Sequence, residues 1–274
     1  MVFLPTMFKS TPFIVLLAAF LWLSWAGCSK YQKILKSSDY ILKFKKAKEY
    51  LDKKDYVRAL PLYEELMTVF RGTSRMEECL FYFAYCNYGI EDYVLASYHF
   101  KNFYKSFPKS EKAEEAMFLN AYCFYLDSPR FSLDQTSTID AINEFQLFVT
   151  MFPVSSRIGE CNEIIDKLRL KLQVKAFETA KMYFHMEDYK ASVASFKNLI
   201  KEFPESKFRE EAQFLMLKSQ YLLAKNSIEA KQAERYEEAI KFYYTFVDAF
   251  TGSKWSKDAE TIFENCRRNL KAKT

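Results

Sequence analysis

The chain has 274 residues, 50% hydrophobic and 27% charged, with a formal net charge of +5. That balance excludes a disordered or collagen-like polymer, and five Gly with seven Pro disfavour Gly-rich phosphate loops and turn-rich sheets. Two His, His99 and His185, leave little for a His metal site or a His relay, so neither a metal nor a cofactor is expected.

Lys and Glu alternate along the chain rather than forming blocks. Lys43, Lys45, Lys46, Lys48 and Glu49 read as the solvated side of a helix, not as the basic stripe that a nucleic acid requires. No nucleic-acid partner is expected.

Residues 1–27 hold no acidic residue and one Lys, Lys9. From Pro12 to Trp25 the chain is almost wholly apolar, and as a helix that run spans about 21 Å, short of the ~30 Å hydrocarbon core. A basic start, a short apolar run and small residues form the layout of a secretory signal peptide. Ala26-Gly27 stand directly before Cys28, and this arrangement resembles a bacterial lipoprotein signal. On that resemblance residues 1–27 are removed, Cys28 is diacylated, and residues 28–39 tether the chain to a membrane.

Five more Cys follow: Cys79, Cys86, Cys123, Cys161 and Cys266. Cys79 and Cys86, seven apart on one helix, lie ~10 Å apart, too far to bridge. The set reads as small buried hydrophobes rather than a disulfide framework or a zinc site.

From residue 40 onward the chain repeats itself. Five segments start at Tyr56, Tyr93, Thr138, Tyr189 and Tyr236 and align without gaps. Three residues on stand Ala59, Ala96, Ala141, Ser192 and Ala239, all small. Seven on stand Tyr63, Phe100, Phe145, Phe196 and Tyr243, all aromatic. Ten on stand Leu66, Phe103, Phe148, Leu199 and Phe246; fourteen on, Phe70, Phe107, Phe152, Phe203 and Phe250. Offsets of 3, 7, 10 and 14 place these side chains on one helix face. Pro108, Pro153 and Pro204, or Gly72 and Gly252, stop that helix. Thr73, Ser110, Ser155, Ser206 and Ser253 then stand where they could cap the next one. Upstream, Phe44-x-x-Ala47, Phe81-x-x-Ala84 and Phe177-x-x-Ala180 mark a partner helix.

Each unit is therefore helix, turn, helix. The pattern resembles the tetratricopeptide repeat. The expected fold is all-α, a helical-hairpin solenoid of about five repeats: 40–73, 74–110, 111–155, 156–206 and 207–253, with a C-terminal capping helix within a domain reaching 274.

Between Phe118-x-x-Ala121 and Thr138 the third copy inserts Ser128-Pro129-Arg130-Phe131-Ser132-Leu133-Asp134-Gln135. This loop, with Asn226-Ser227-Ile228-Glu229 and Glu234-Arg235-Tyr236 in the fifth copy, resembles the BamD-like lipoproteins of the outer-membrane β-barrel assembly machine. The resemblance implies a lipid-anchored scaffold on the periplasmic face of the outer membrane. Its implied partners are the barrel subunit of the machine and unfolded outer-membrane protein precursors. The alternative is another tetratricopeptide adaptor lipoprotein that coordinates cell-envelope or cell-wall synthesis.

No enzyme is expected, because acidic residues are scattered over helix surfaces and neither His has a facing partner. Stacked hairpins instead form a concave face from their first helices. The corresponding positions are Phe44, Lys48, Leu51 and Asp52 in copy one and Phe81, Tyr85, Tyr88 and Gly89 in copy two. Aromatic walls with a Lys suit a peptide ending in an aromatic residue and a carboxylate, while Phe44 and Phe81 equally suit packing between neighbouring repeats, and both roles can coexist. Within the loop, Asp134 and Gln135 would bond backbone near the next helix start, and the loop would orient the third repeat against the fourth.

Overall fold

The computed structural model describes residues 30–271, which form helices and turns only. A short helix, α1, covers 30–35. It is followed by α2 (Tyr40–Asp52), α3 (Tyr56–Val69), α4 (Arg75–Gly89), α5 (Tyr93–Ser106), α6 (Ala113–Asp127) and α7 (Thr136–Met151). Then come α8 (Ile158–His185), α9 (Tyr189–Glu202), α10 (Arg209–Lys225), α11 (Glu229–Ala249) and α12 (Ser256–Lys271). The chain divides into two compact units. Unit 1 runs up to Asp127 and includes Asn143–Ser155; unit 2 comprises Ser128–Ile142 and the chain from Ser156 onward.

In unit 1 the repeated positions form the interior. Ala59, Ala96, Tyr63, Phe100, Leu66 and Phe103 are fully buried. Small residues let the helix axes approach, and the rings fill the space beside the crossing. Phe81 of α4 meets Phe100 and Phe103 of α5 edge to face at 5.8 and 5.3 Å. Phe118 of α6 repeats this with Phe145 and Phe148 of α7 at 5.9 and 5.8 Å. In unit 2, Phe177 meets Phe196 at 6.1 Å and Phe214 meets Phe246 at 6.1 Å. Helix α12 closes that core with Ala259, Ile262 and Cys266.

One turn recurs between paired helices. Lys54, Glu91 and Glu187 hold positive φ of 57, 66 and 59°, and the following Asp55, Asp92 and Asp188 cap α3, α5 and α9 by accepting from the amide three residues on. At the first two turns the amides of residues 54 and 55, and of 91 and 92, bond back to carbonyls of the preceding helix. This double closure satisfies the helix end. The third and fifth hairpins differ: the third opens into the 128–135 segment, and the fifth lengthens α11 to 21 residues.

Two expectations change. Lys43 is not solvated: its side chain is buried, and its Nζ bonds Glu65 Oε2 at 2.6 Å and the Leu35 carbonyl at 2.8 Å. Four of the five hydroxyls after the hairpins brace the turns rather than the helix starts, and Ser155 donates to Glu114 at 2.6 Å. Ser110, Ser206 and Ser253 accept from the amide two residues on, while Thr73 donates back to Phe70 O. All five Cys from Cys79 onward are buried. Burial pushes the thiols of Cys79, Cys86, Cys123 and Cys266 up to about 12 and that of Cys161 up to about 11, so they stay protonated and inert.

Candidate functional site

Tyr85 and Tyr88 stand four and seven residues after Phe81, on the α4 face shared by i, i+4 and i+7. Phe81 itself is buried and closes the core under this face. Its ring stacks on Tyr85 at 6.3 Å, and Tyr85 contacts Tyr88 at 5.9 Å. Helix α6 carries the same spacing one repeat on. Phe118 stacks on Tyr122 at 5.6 Å, and Tyr122 contacts Tyr125 at 5.5 Å. Tyr85, Tyr88, Tyr122 and Tyr125 are half-buried, so each keeps part of its ring in solvent. Burial, followed by Tyr122, pushes the Tyr88 hydroxyl up to about 12, which keeps it a neutral donor.

The row needs a close helix approach to form. A Cβ on Gly89 would lie 2.3 Å from the Tyr56 ring, so only Gly lets α4 rest on α3 there. Tyr56 in turn contacts Tyr85 at 6.2 Å.

On α2, Phe44 packs edge to face on Phe70 at 6.1 Å with the Arg75 guanidinium 5.8 Å above it. Leu51 is half-buried in the first core, and Asp52 is exposed. Lys48 is exposed but not free: its Nζ stands 3.3 Å from Glu78 Oε1, and that bond raises its pKa. A second cation lies over the row's buried end, with Lys112 Nζ 4.7 Å from the Phe81 ring and 5.3 Å from Tyr82.

The 128–135 loop sits in unit 2 and is organised by one side chain. Gln135 is buried; its Nε2 donates to the carbonyls of Arg130, Leu133 and Asp134 at 2.9, 3.0 and 3.2 Å. Its Oε1 accepts from Thr138 Oγ1 at 2.8 Å. Asp134 caps α7 by accepting from the Thr136 amide at 2.9 Å, which lowers its pKa. Helix α8 grips the loop from outside. Lys171 Nζ donates to Ser128 Oγ at 2.7 Å and Lys175 Nζ to Leu133 O at 2.5 Å. Arg130 and Leu133 are exposed, and Pro129 is half-buried. Beside the loop lies an open groove of about 510 Å³, lined by Gln135, Ile139, Leu172, Lys175, Asn198 and Phe203. The fifth-copy segment is held the same way: Gln232 Nε2 donates to Ser227 O at 2.9 Å, and Arg235 donates to Ser227 Oγ.

Among the described residues no group of three or more His, Cys, Asp or Glu could hold a metal ion. No described helix is long and apolar enough to cross a membrane. Cys28 lies outside the described residues.

Two solved tetratricopeptide structures align with the chain. The P58(IPK) TPR domain has a TM-score of 0.40 at 14% identity, covering 89% of this chain and 68% of that one. The TPR2AB domain–pHSP90 complex of yeast Sti1 has a TM-score of 0.38 at 11% identity, covering 84% and 99%. No curated protein matches the chain. A family model also matches: residues 42–235 fit YfiO, described as an outer membrane lipoprotein. Because the match takes in both the tyrosine row and the Ser128–Gln135 loop, the chain belongs to the YfiO family of outer membrane lipoproteins, the BamD-like family that its sequence resembles.

Proposed function

We propose that the protein is a lipid-anchored scaffold of the outer-membrane protein assembly complex. Cys28 holds it at the periplasmic face of the outer membrane. Unit 1 receives unfolded β-barrel precursors, and unit 2 docks on the barrel subunit of the machine. The observation that carries the reading is the row of half-exposed tyrosines on α4 and α6. Partly exposed rings in series offer stacking surface to an extended aromatic segment at little entropic cost. A barrel's last strand, ending in an aromatic residue and a carboxylate, fits that row with Lys48 near it. The chemistry asked of the protein is binding alone. Family membership supports the envelope location.

A deletion is a poor test, because unit 1 takes part of its core from Asn143–Ser155, beyond the loop. Point replacement by a photocrosslinking residue in the full chain is cleaner. At Tyr85 it should capture precursors, and at the exposed Ile228 in unit 2 it should capture the barrel subunit. Capture of cell-wall synthesis proteins at both positions would establish the alternative adaptor role instead.

A further inference from the structure

Helix α1 is docked on the first repeat. Tyr31 donates its hydroxyl to Arg58 O at 3.0 Å and meets the Tyr50 ring edge to face at 5.7 Å. Ile34 and Leu35 pack on the same core. The Leu35 carbonyl is held by the buried Lys43 ammonium at 2.8 Å. With that face inward, Lys30, Lys33 and Lys36 lie exposed at a spacing of three, along one side of the helix. Next to the helix end, Tyr40 and Ile41 begin α2 with 36% and 56% of their surfaces in solvent. The Tyr40 ring lies 5.7 Å from the Lys43 ammonium that binds Leu35.

Chain geometry sets the rest. Only Ser29 separates Cys28 from Lys30, so their Cα atoms stand at most about 7 Å apart. That is within the screening length of a charged surface at physiological salt. We propose that residues 30–41 form a membrane-contact surface, in which Lys30, Lys33 and Lys36 face anionic phospholipid headgroups and Ile41 enters the interface beside them. This rests on the lipidation of Cys28 proposed above. A docked α1 leaves no slack for a tether, so acylation at Cys28 brings the first repeat down onto the bilayer. Three cations and an exposed aliphatic residue at its edge match an anionic interface in charge and polarity.

The test uses the full-length lipoprotein reconstituted in vesicles of phosphatidylethanolamine with phosphatidylglycerol. Ile41→Cys is labelled with an environment-sensitive nitrobenzoxadiazole dye, since the buried thiols do not compete; Val154→Cys, almost wholly exposed, is the control. Vesicle flotation and fatty-acid incorporation, with Cys28→Ala as blank, report the anchor separately. The expected result is a blue-shifted, lipid-quenchable signal at position 41 only, lost in Lys30→Glu/Lys33→Glu/Lys36→Glu while the protein still floats. A protein that floats with position 41 as aqueous as position 154 overturns the contact surface alone. A protein that neither floats nor incorporates fatty acid overturns the lipidation reading, and the contact surface with it.

Discussion

The ammonium of Lys48 on α2 stands 3.3 Å from Glu78 on α4, so the cation that the sequence offers to a ligand carboxylate already has a carboxylate partner. Both side chains are substantially exposed, and such a pair contributes at most about 1 kcal/mol to stability. A ligand carboxylate must therefore compete with Glu78. Glu78→Gln should strengthen binding of a peptide with a free C-terminal carboxylate severalfold and leave its C-terminal amide unchanged, with Tm nearly constant. Fluorescence anisotropy on the two peptides measures this; equal gains for both would show that Lys48 does not read the carboxylate.

Lys54, Glu91 and Glu187 occupy left-handed backbone that glycine adopts without steric cost. Left-handed backbone costs an L residue about 1–2 kcal/mol and the added chain freedom of glycine takes back about 0.5–1 kcal/mol, so each change to Gly should raise stability modestly, and the changes in separate hairpins should add. Urea unfolding of the single and triple variants checks both statements. A Gly at Glu91 that destabilises would show that the side chain, rather than the backbone, sets the turn.

His99 packs on Phe83 at 4.7 Å and Tyr98 at 5.0 Å. Burial lowers its pKa, against a smaller opposing effect of Asp92. The unfolded chain therefore binds a proton at a pH where the folded chain does not. Stability should fall as pH drops from about 6.5, the ordinary His value, through the lower folded value, and level off below it. Comparing Tm between pH 7.5 and 5 should show a smaller drop in His99→Gln than in the parent.

Gln135 serves three carbonyls and one hydroxyl from a buried position. Gln135→Ala should cost about 1–3 kcal/mol and raise amide exchange across 128–138, with α9–α12 unchanged. Asp134→Ala, at an exposed cap, should loosen only the start of α7. If the two variants behave alike, the loop is ordered by its anchors on α8, Lys171 and Lys175, rather than from within.

The repeat was legible because it is local. Ala59, Tyr63, Leu66 and Phe70 sit at helical spacing and recur, and any period search finds them. The Asp before three of the four starting Tyr was equally visible, as Asp55, Asp92 and Asp188. Lys43 was not, since its partners lie 22 residues later at Glu65 and on a backbone carbonyl at Leu35. Charge alone marks a residue as exposed until a partner is placed beside it. The α6 half of the tyrosine row was readable in principle: Phe118, Tyr122 and Tyr125 repeat the spacing of Phe81, Tyr85 and Tyr88. The role of Phe81 was not, because a position on the inner helix can serve core or ligand, and only burial decides. Nor was the bonding of Gln135, which depends on how the loop closes.

In the proposed function the tyrosine row binds aromatic-ended precursor segments. The most direct measurement is the affinity of the full-length protein for a peptide copying a barrel's last strand. Tyr85→Ala with Tyr122→Ala removes two ring contacts worth about 0.5–1.5 kcal/mol each, so Kd should rise about tenfold. Circular dichroism should be unchanged, and Tyr244→Ala, an exposed ring in unit 2, should leave Kd alone. A Kd unmoved by the double variant, or moved equally by Tyr244→Ala, would contradict the account.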